Sequence, residues 1–116
     1  ILVSTFIAPE EDQILASAET DCDAVELHTG MYANAKTDRS AARRVAELRT
    51  GRDIARDRGL VVHAGHGLTY RNIGPVAAIE GLCEFNIGHS IIARAVLVGI
   101  HRATAEMMEL IERPSR

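Results

Sequence analysis

The sequence of 116 residues lacks tryptophan, and aromatic residues of all kinds make up 3% of it. Its core must therefore be built mainly from Ala, Val, Ile and Leu, a mixture typical of buried parallel strands covered by helices. This scarcity favours an α/β fold over a β-sandwich. The chain has 47% hydrophobic and 25% charged residues, an ordinary balance for one modest globular domain.

An excess of positive charge and a long apolar run are also missing. The net charge is −3 and the pI is about 5.9, so we expect no nucleic-acid partner. The longest apolar run, around Ile91 to Ile100, is interrupted by Arg94 and falls short of the roughly 20 residues that a membrane span needs. The first residues lack a charged segment followed by an apolar one, so we expect no secretion signal. We expect a cytoplasmic protein with no membrane partner.

Cysteine is scarce, with Cys22 and Cys83 the two examples. They lack the spacing of a metal site, and a disulfide between them would need an oxidising compartment. We therefore expect both to be buried free thiols. The chain begins at Ile1 and immediately has strand-forming residues, so we also expect it to have been cut from something longer.

Short apolar runs alternate with amphipathic segments and predict about four strand–helix units in one domain. The predicted strands cover Leu2–Ile7, Ala24–Leu27, Leu60–Ala64 and Phe85–Ile87; the predicted helices begin near Pro9, cover Asp38–Arg58, lie within Asn72–Ile79 and run from Ile91 to about Glu112. This alternation predicts a parallel sheet. Two architectures fit it: a small open doubly wound sheet, which the length favours, or half of an eight-unit barrel of ~250 residues.

Polar side chains follow three of the predicted strands, at the point where each strand ends. They are Glu26 and His28, His63 and His66, and Asn86 and His89. Because the carboxyl ends of parallel strands meet at one rim, where ligands bind in such folds, we expect these residues to form a site.

The segment from 87 to 91 places Gly88, His89 and Ser90 at the start of the last helix. Free N–H groups and the positive end of the helix dipole attract an anion there, and phosphate is the natural ligand. A glycine before a helix is also common in plain turns, so the pattern alone leaves both interpretations open. The glycines on either side of His66 provide a second flexible segment on the same rim.

Three of the rim residues suit acid–base chemistry. His63, His66 and Glu26 could donate and accept protons near neutral pH. The plainer alternatives are that His63 is a core histidine and that Glu26 is paired with an arginine. A metal site is a further alternative, because His63 and His66 with Glu26 or His28 offer suitable donors, as in a metal-dependent hydrolase. His101 is predicted to lie on the surface.

Several stretches together resemble the pyridoxine 5′-phosphate synthase family. They are Glu26-Leu27-His28-Thr29-Gly30, Tyr32-Ala33, Lys36-Thr37-Asp38, Ala64-Gly65-His66-Gly67-Leu68-Thr69-Tyr70 and Asn86-Ile87-Gly88-His89-Ser90-Ile91-Ile92. They follow one another in the family's order over nearly the whole chain. The resemblance implies the C-terminal half of a (β/α)8 TIM barrel, from its fifth strand to its last helix. Residues 1–116 are then a single partial domain, and the small open sheet is displaced.

The resemblance also implies a reaction in vitamin B6 biosynthesis. The family condenses 3-amino-2-oxopropyl phosphate with 1-deoxy-D-xylulose 5-phosphate and releases water and inorganic phosphate as the pyridine ring closes. Small phosphorylated molecules are the implied partners, no metal or organic cofactor is implied, and the full-length relatives form homo-oligomers.

Carried over residue by residue, the resemblance makes His66 the proton donor and Glu26 a carboxylate that stabilises the transition state. Gly67, Gly88 and His89 would hold the phosphate of the amino-ketone. The family's N-terminal half supplies a further histidine and glutamate as general bases, so we expect this chain alone to be inactive. The alternative from another class is a non-catalytic phosphate-binding half-barrel that self-associates through its open sheet edges.

Overall fold

The structure is a computed structural model that describes residues 1–114; residues 115–116 of the predicted domain lie outside the described part. Its strands are β1 (Ser4–Ile7), β2 (Ala24–His28), β3 (Val61–Gly65) and β4 (Glu84–Asn86). Its helices are α1 (Glu11–Glu19), α2 (Gly30–Ala33), α3 (Asp38–Asp57), α4 (Ile73–Ala77), α5 (His89–Val98) and α6 (Ile100–Glu112). Within the described residues no helix is long and apolar enough to cross a membrane.

The four strands form one parallel sheet in the order β1-β2-β3-β4. The register places Phe6, Glu26, His63 and Glu84 side by side in one row across the sheet. The sheet is open, with β1 and β4 as its two edges. The predicted α/β fold of four βα units is confirmed: it is the arrangement of half of a (β/α)8 barrel, without closure.

The two faces of the sheet differ in what covers them. Alternate side chains on β2 and β3 are buried against the helices, and we call this side the covered face: Val25, Leu27, Val62 and Ala64. The other side, which would line the interior of a closed barrel, we call the open face: Phe6, Glu26, His63 and Glu84. Burying a large aliphatic side chain contributes about 1.5–3 kcal/mol, so the covered face stabilises the fold.

Helix α3 begins at a conventional cap and contains a glycine that its packing explains. The Thr37 side chain accepts a hydrogen bond from the Ser40 N–H at 3.1 Å. Gly51 is buried inside the helix, and a Cβ there would already lie 3.4 Å from side-chain atoms of Ile14 and Leu27. The glycine therefore lets α3 approach α1 and β2 closely. This packing offsets the lower helix propensity of glycine, which costs about 1 kcal/mol relative to Ala.

The prediction of one continuous C-terminal helix from Ile91 to about Glu112 is wrong, because the helix breaks at Gly99. That residue has φ 84°, a conformation that costs glycine little and other residues more. Helix α5 is held against α6 by Arg94, whose guanidinium donates to both carboxylate oxygens of Glu106 at 2.9 and 3.2 Å. Hydrogen bonds from Arg94 and Arg102 lower the pKa of Glu106 to about 2.

The two cysteines are free, as predicted, but only one is buried. Cys22 lies in the core, whereas Cys83 is exposed, so the prediction of burial is wrong for Cys83. Cys83 directly precedes β4, and an edge strand has no neighbouring strand on its outer side to cover such a position. The sequence around Cys83, with Leu82 before it and Glu84 after it, does not reveal this edge position.

Candidate active site at the carboxyl ends of the strands

Four of the six polar rim residues line one cleft at the carboxyl rim of the sheet: Glu26, His66, Asn86 and His89. The cleft has a volume of about 530 Å³ and lies between the turn after β3 and the start of α5. Its lining includes every residue that the sequence assigned to catalysis or phosphate binding: Glu26, His66, Gly67, Gly88 and His89. The strand ends therefore converge as expected, but His28 and His63, which were expected at the same site, do not line this cleft.

Glu26 lies on the open face between Phe6 and His63 and is half-buried. Space for its carboxylate depends on Gly65, because a Cβ at that position would collide with Glu26 Oε1. Burial raises the pKa of Glu26, and the nearby charge of His63 and the Asn86 side chain oppose this shift in part. No arginine of residues 1–114 pairs with Glu26, so the plainer alternative of an arginine partner is not found among these residues.

His66 lies in a left-handed backbone conformation that its side chain disfavours. Its φ is 87°, and φ of the following Gly67 is 74°. For a residue with a side chain this conformation costs about 1–2 kcal/mol. Buried Thr29 holds the turn: its hydroxyl shares its hydrogen between the carbonyl oxygens of Gly65 at 2.7 Å and His66 at 2.5 Å. The His66 imidazole is thereby held out into the cleft.

A second histidine, His28, lies against the first; the sequence placed it at the rim and as a possible metal donor, but gave it no role in catalysis. The ring of His28 is 4.4 Å from that of His66 and 4.9 Å from that of Phe6, centroid to centroid. The Gly30 N–H donates to His28 Nδ1 at 2.9 Å. Burial, and then the charge of His66, lower the pKa of His28. The register of the parallel pair β2–β3 aligns His28 with Gly65, next to His66, and this register is not visible in the sequence.

The loop after Gly67 is braced by a short helix that the sequence analysis did not predict. Tyr32, on α2, donates from its hydroxyl to the carbonyl oxygen of Asn72 at 2.6 Å. The Asn72 side chain donates to the Gly67 carbonyl at 3.0 Å and accepts from the Thr69 N–H at 2.7 Å. A Cβ at Gly67 would lie 2.7 Å from that of Ala33 on α2, so the loop fits closely over this helix.

The other wall of the cleft is the amino end of α5. Gly88 precedes the helix and His89 is its first residue. The Ser90 hydroxyl donates to the Leu68 carbonyl at 2.8 Å, which ties this helix end to the loop after β3. Gly88 has φ −118°, and a Cβ there would find no atom within 4 Å. Neither the space around Gly88 nor its backbone φ requires a glycine at this position.

Residues 1–113 match the sequence model of a family described as pyridoxal phosphate biosynthesis protein PdxJ. This chain belongs to the PdxJ family. The resemblance inferred from the rim motifs is thereby confirmed, and the family's description refers to the biosynthesis of a form of vitamin B6.

Curated relatives of this PdxJ-family chain are named pyridoxine 5′-phosphate synthase. The one from Trichlorobacter lovleyi is 51% identical over 114 residues, which cover 98% of this chain and 48% of that protein. The one from Synechocystis sp. is 53% identical over 107 residues, covering 92% of this chain and 44% of that protein. The one from Rhodopirellula baltica is 52% identical over 114 residues, which cover 97% of this chain and 45% of that protein. The chain thus spans about half the length of these relatives.

The remaining histidines of this PdxJ-family chain lie apart from the cleft. His63 is half-buried on the open face, with Nδ1 3.9 Å from Glu84 Oε1, so it is not the core histidine of the plainer alternative. His101 is exposed, as predicted. Among residues 1–114 no group of three or more His, Cys, Asp or Glu side chains is placed to hold a metal ion. The structure therefore does not bring His63 and His66 together as metal ligands.

Proposed function

We propose that this chain carries the phosphate-binding and proton-donating part of a pyridoxine 5′-phosphate synthase site. The reaction condenses 3-amino-2-oxopropyl phosphate with 1-deoxy-D-xylulose 5-phosphate to give pyridoxine 5′-phosphate, inorganic phosphate and water. The observation that carries the proposal is the single cleft that joins the strained turn at His66 to the amino end of α5. The names of the relatives agree with this activity.

The amino-ketone substrate binds with its phosphate at the amino end of α5. There the first-turn N–H groups point outward and the helix dipole favours a negative charge. Gly88 leaves the approach to these groups open, and His89 adds an imidazole at the same end of the helix. Gly67 supplies backbone groups from the opposite wall of the cleft.

His66 acts as the proton donor. Its imidazole is exposed to the cleft and can protonate an oxygen that leaves as water or phosphate. Glu26 stabilises positive charge that develops during ring closure. Partial burial removes water from the Glu26 carboxylate and so raises its pKa, and a nearby cation would stabilise the charged form.

The chain is a partial domain whose turnover needs the rest of the barrel. It covers about half of its relatives' length, and its open face exposes Glu26 and His63 where a closed barrel would enclose them. We therefore propose that the isolated chain binds phosphate without turning over. A cytoplasmic location and homo-oligomers remain predictions from the sequence and the resemblance.

A non-catalytic half-barrel that binds phosphate and self-associates is the second candidate. It is favoured by apolar exposure on the open side of the sheet, where Phe6 is 53% and Val61 45% accessible. The edges of β1 and β4 are also unpaired within the described sheet. Sedimentation across a range of concentrations distinguishes the two, because this candidate requires a size that grows with concentration.

Calorimetric titration with inorganic phosphate and with the amino-ketone phosphate tests the site. We expect the unsubstituted chain to bind both, and His89→Ala and Gly88→Asp to lose at least about tenfold in affinity, since one charge-assisted hydrogen bond or one repulsive charge is worth roughly 1.4 kcal/mol or more. Gly88→Asp is informative because a Cβ at this position meets no neighbouring atom.

The control is His101→Ala, which removes an exposed imidazole from α6, away from the cleft. Its affinity should match that of the unsubstituted chain. A folded chain that binds neither ligand, or equal binding by all the variants, would refute the phosphate site.

A further inference from the structure

We propose that His28 is a positioning residue that holds the imidazole of His66 in the orientation from which it donates its proton. The inference rests on the proposed function and extends it to a residue outside the cleft lining. It stands on three separate contacts of the His28 ring: with His66, with the turn at Gly30 and with Phe6.

The first contact limits how the His66 side chain can turn. His66 is exposed, and its imidazole makes no hydrogen bond to another residue of the described chain. The ring of His28 lies 4.4 Å from it, with 33° between the planes. The backbone turn fixes the position of the His66 Cβ. The contact with the ring of His28 then limits the side-chain rotamers that the His66 imidazole can adopt.

The second contact fixes the tautomer of His28. Because the Gly30 N–H donates to Nδ1, that nitrogen must carry a lone pair, and the proton of the neutral ring lies on Nε2. An uncharged ring can lie against a protonated His66 without repelling it. The low pKa that burial gives His28 keeps it in this form. The other titratable group near the pair is Glu26, whose pKa reflects the charge of His66.

The third contact of the His28 ring is with Phe6, and the missing side chain of Gly30 leaves room for both histidine rings. Phe6 is 53% exposed, yet its ring is nearly parallel to that of His28, at 21° and 4.9 Å. Gly30 lies under both imidazoles: a Cβ there would collide with His28 Cε1 and lie 3.3 Å from His66 Cδ2. Phe6 thus backs the His28 ring from one side, and Gly30 leaves room for both histidines.

Two substitutions test separately the contribution of the His28 ring and that of its hydrogen bond with the Gly30 N–H. His28→Phe keeps a flat ring against His66 and loses the acceptor for the Gly30 N–H. His28→Asn keeps an acceptor near the Nδ1 position and loses the ring. His101→Asn, on the exposed face of α6, is the matched control. Circular dichroism confirms that each variant is folded.

The first readout is the NMR spectrum of the chain with labelled histidine. We expect cross-peaks between the ring protons of His28 and His66, and an unprotonated Nδ1 on His28. In His28→Asn the His66 ring resonances should move toward those of the exposed His101, whereas in His28→Phe they should stay displaced. Unchanged His66 resonances in His28→Asn would overturn the proposal.

The second readout is turnover by the longer or assembled form of the protein that condenses both substrates. We expect His28→Asn to lower kcat by about tenfold to a hundredfold, the cost of misplacing a catalytic group by about 1 Å, with little change in KM. His28→Phe should lose less, and His101→Asn nothing. A larger loss in His28→Phe than in His28→Asn would mean that His28 only stabilises the turn, which contradicts the proposal.

The two failures can be told apart. If the unsubstituted protein shows the ring contact but neither binds phosphate nor turns over, the proposed function fails. If it turns over and His28→Asn has the same kcat, the positioning role of His28 fails and the proposed function stands.

Discussion

The covered and open faces of the sheet are made by the same strands, and they differ in the burial and polarity of their side chains. On β2, Val25 and Leu27 are fully buried under helices, whereas Glu26 between them is half-buried beside the cleft. On β3, buried Val62 and Ala64 likewise flank His63. Apolar burial on one face secures the strands, and the alternation of side chains then fixes where the polar groups of the other face point.

The comparison teaches that stability and chemistry are separated by one residue along each strand. A substitution at a covered position should destabilise the fold, whereas a substitution at its neighbour on the open face should leave stability nearly unchanged. The three predictions below test this separation in order of expected size.

The largest effect is expected from two adjacent valines on β3. Val62 is 1% exposed on the covered face, and Val61 is 45% exposed on the other side. Val62→Ala removes buried methyl groups and leaves a cavity, so we expect a loss of about 2–3 kcal/mol in the free energy of unfolding. Val61→Ala should cost about 0.5 kcal/mol or less. Urea titration followed by circular dichroism measures both.

Equal losses at the two valines would break the comparison. They would mean that the open face is covered in solution, by a second copy or by other barrel units, and that Val61 is buried there.

A smaller effect is expected at Thr29, where the buried interior holds the site. Thr29→Val keeps the shape of the side chain but removes the hydroxyl that donates to the carbonyls of Gly65 and His66. We expect a loss of about 1 kcal/mol, the net value of one buried hydrogen bond, together with weaker protection of the turn from hydrogen exchange. Thr29→Ser, which retains the hydroxyl, should keep the turn protected from exchange. Similar exchange in both variants would mean that the Thr29 hydroxyl does not hold the turn.

The smallest effect is expected at Glu26 and depends on pH. Because burial raises the pKa of Glu26 above its ordinary value of 4.5, this group stabilises the fold fully below pH 4.5 and loses that contribution as the pH rises through its folded pKa. Glu26→Gln should therefore match the unsubstituted chain at low pH and exceed its stability at neutral pH, by about 0.5 kcal/mol or less for a partly exposed carboxylate.

Glu106 is the matched comparison with the opposite sign. Its pKa is lowered to about 2 by Arg94 and Arg102, so its contribution is present above the unfolded value of 4.5 and is lost as the pH falls through about 2. Glu106→Gln should lower stability at neutral pH and become neutral in strong acid. The same sign of pH dependence for both variants would contradict the assignment of burial as the dominant cause at Glu26.

The gathering of the site at one rim could be predicted from sequence, because alternating strands and helices dictate a parallel sheet and polar residues follow three of its four strands. The pairing of His28 with His66 could not. It depends on the left-handed backbone at His66 and on the register that sets β2 beside β3. Neither quantity is written in the local pattern of apolar and polar residues.

Two glycines within apolar helical patterns show the same limit. Helix α3 continues through Gly51, because the missing side chain allows close packing against Ile14 and Leu27. Gly99 ends α5 because the chain turns there, at φ 84°. Both look alike in the sequence, and only the packing around each one decides whether the helix continues.

The strand order has a consequence for how the chain assembles. Each strand pairs with the one made just before it: Glu26 aligns with Phe6, His63 with Glu26 and Glu84 with His63. Among the four described strands, every pairing joins neighbours in chain order. Each of these units can therefore dock on the one made just before it as it leaves the ribosome.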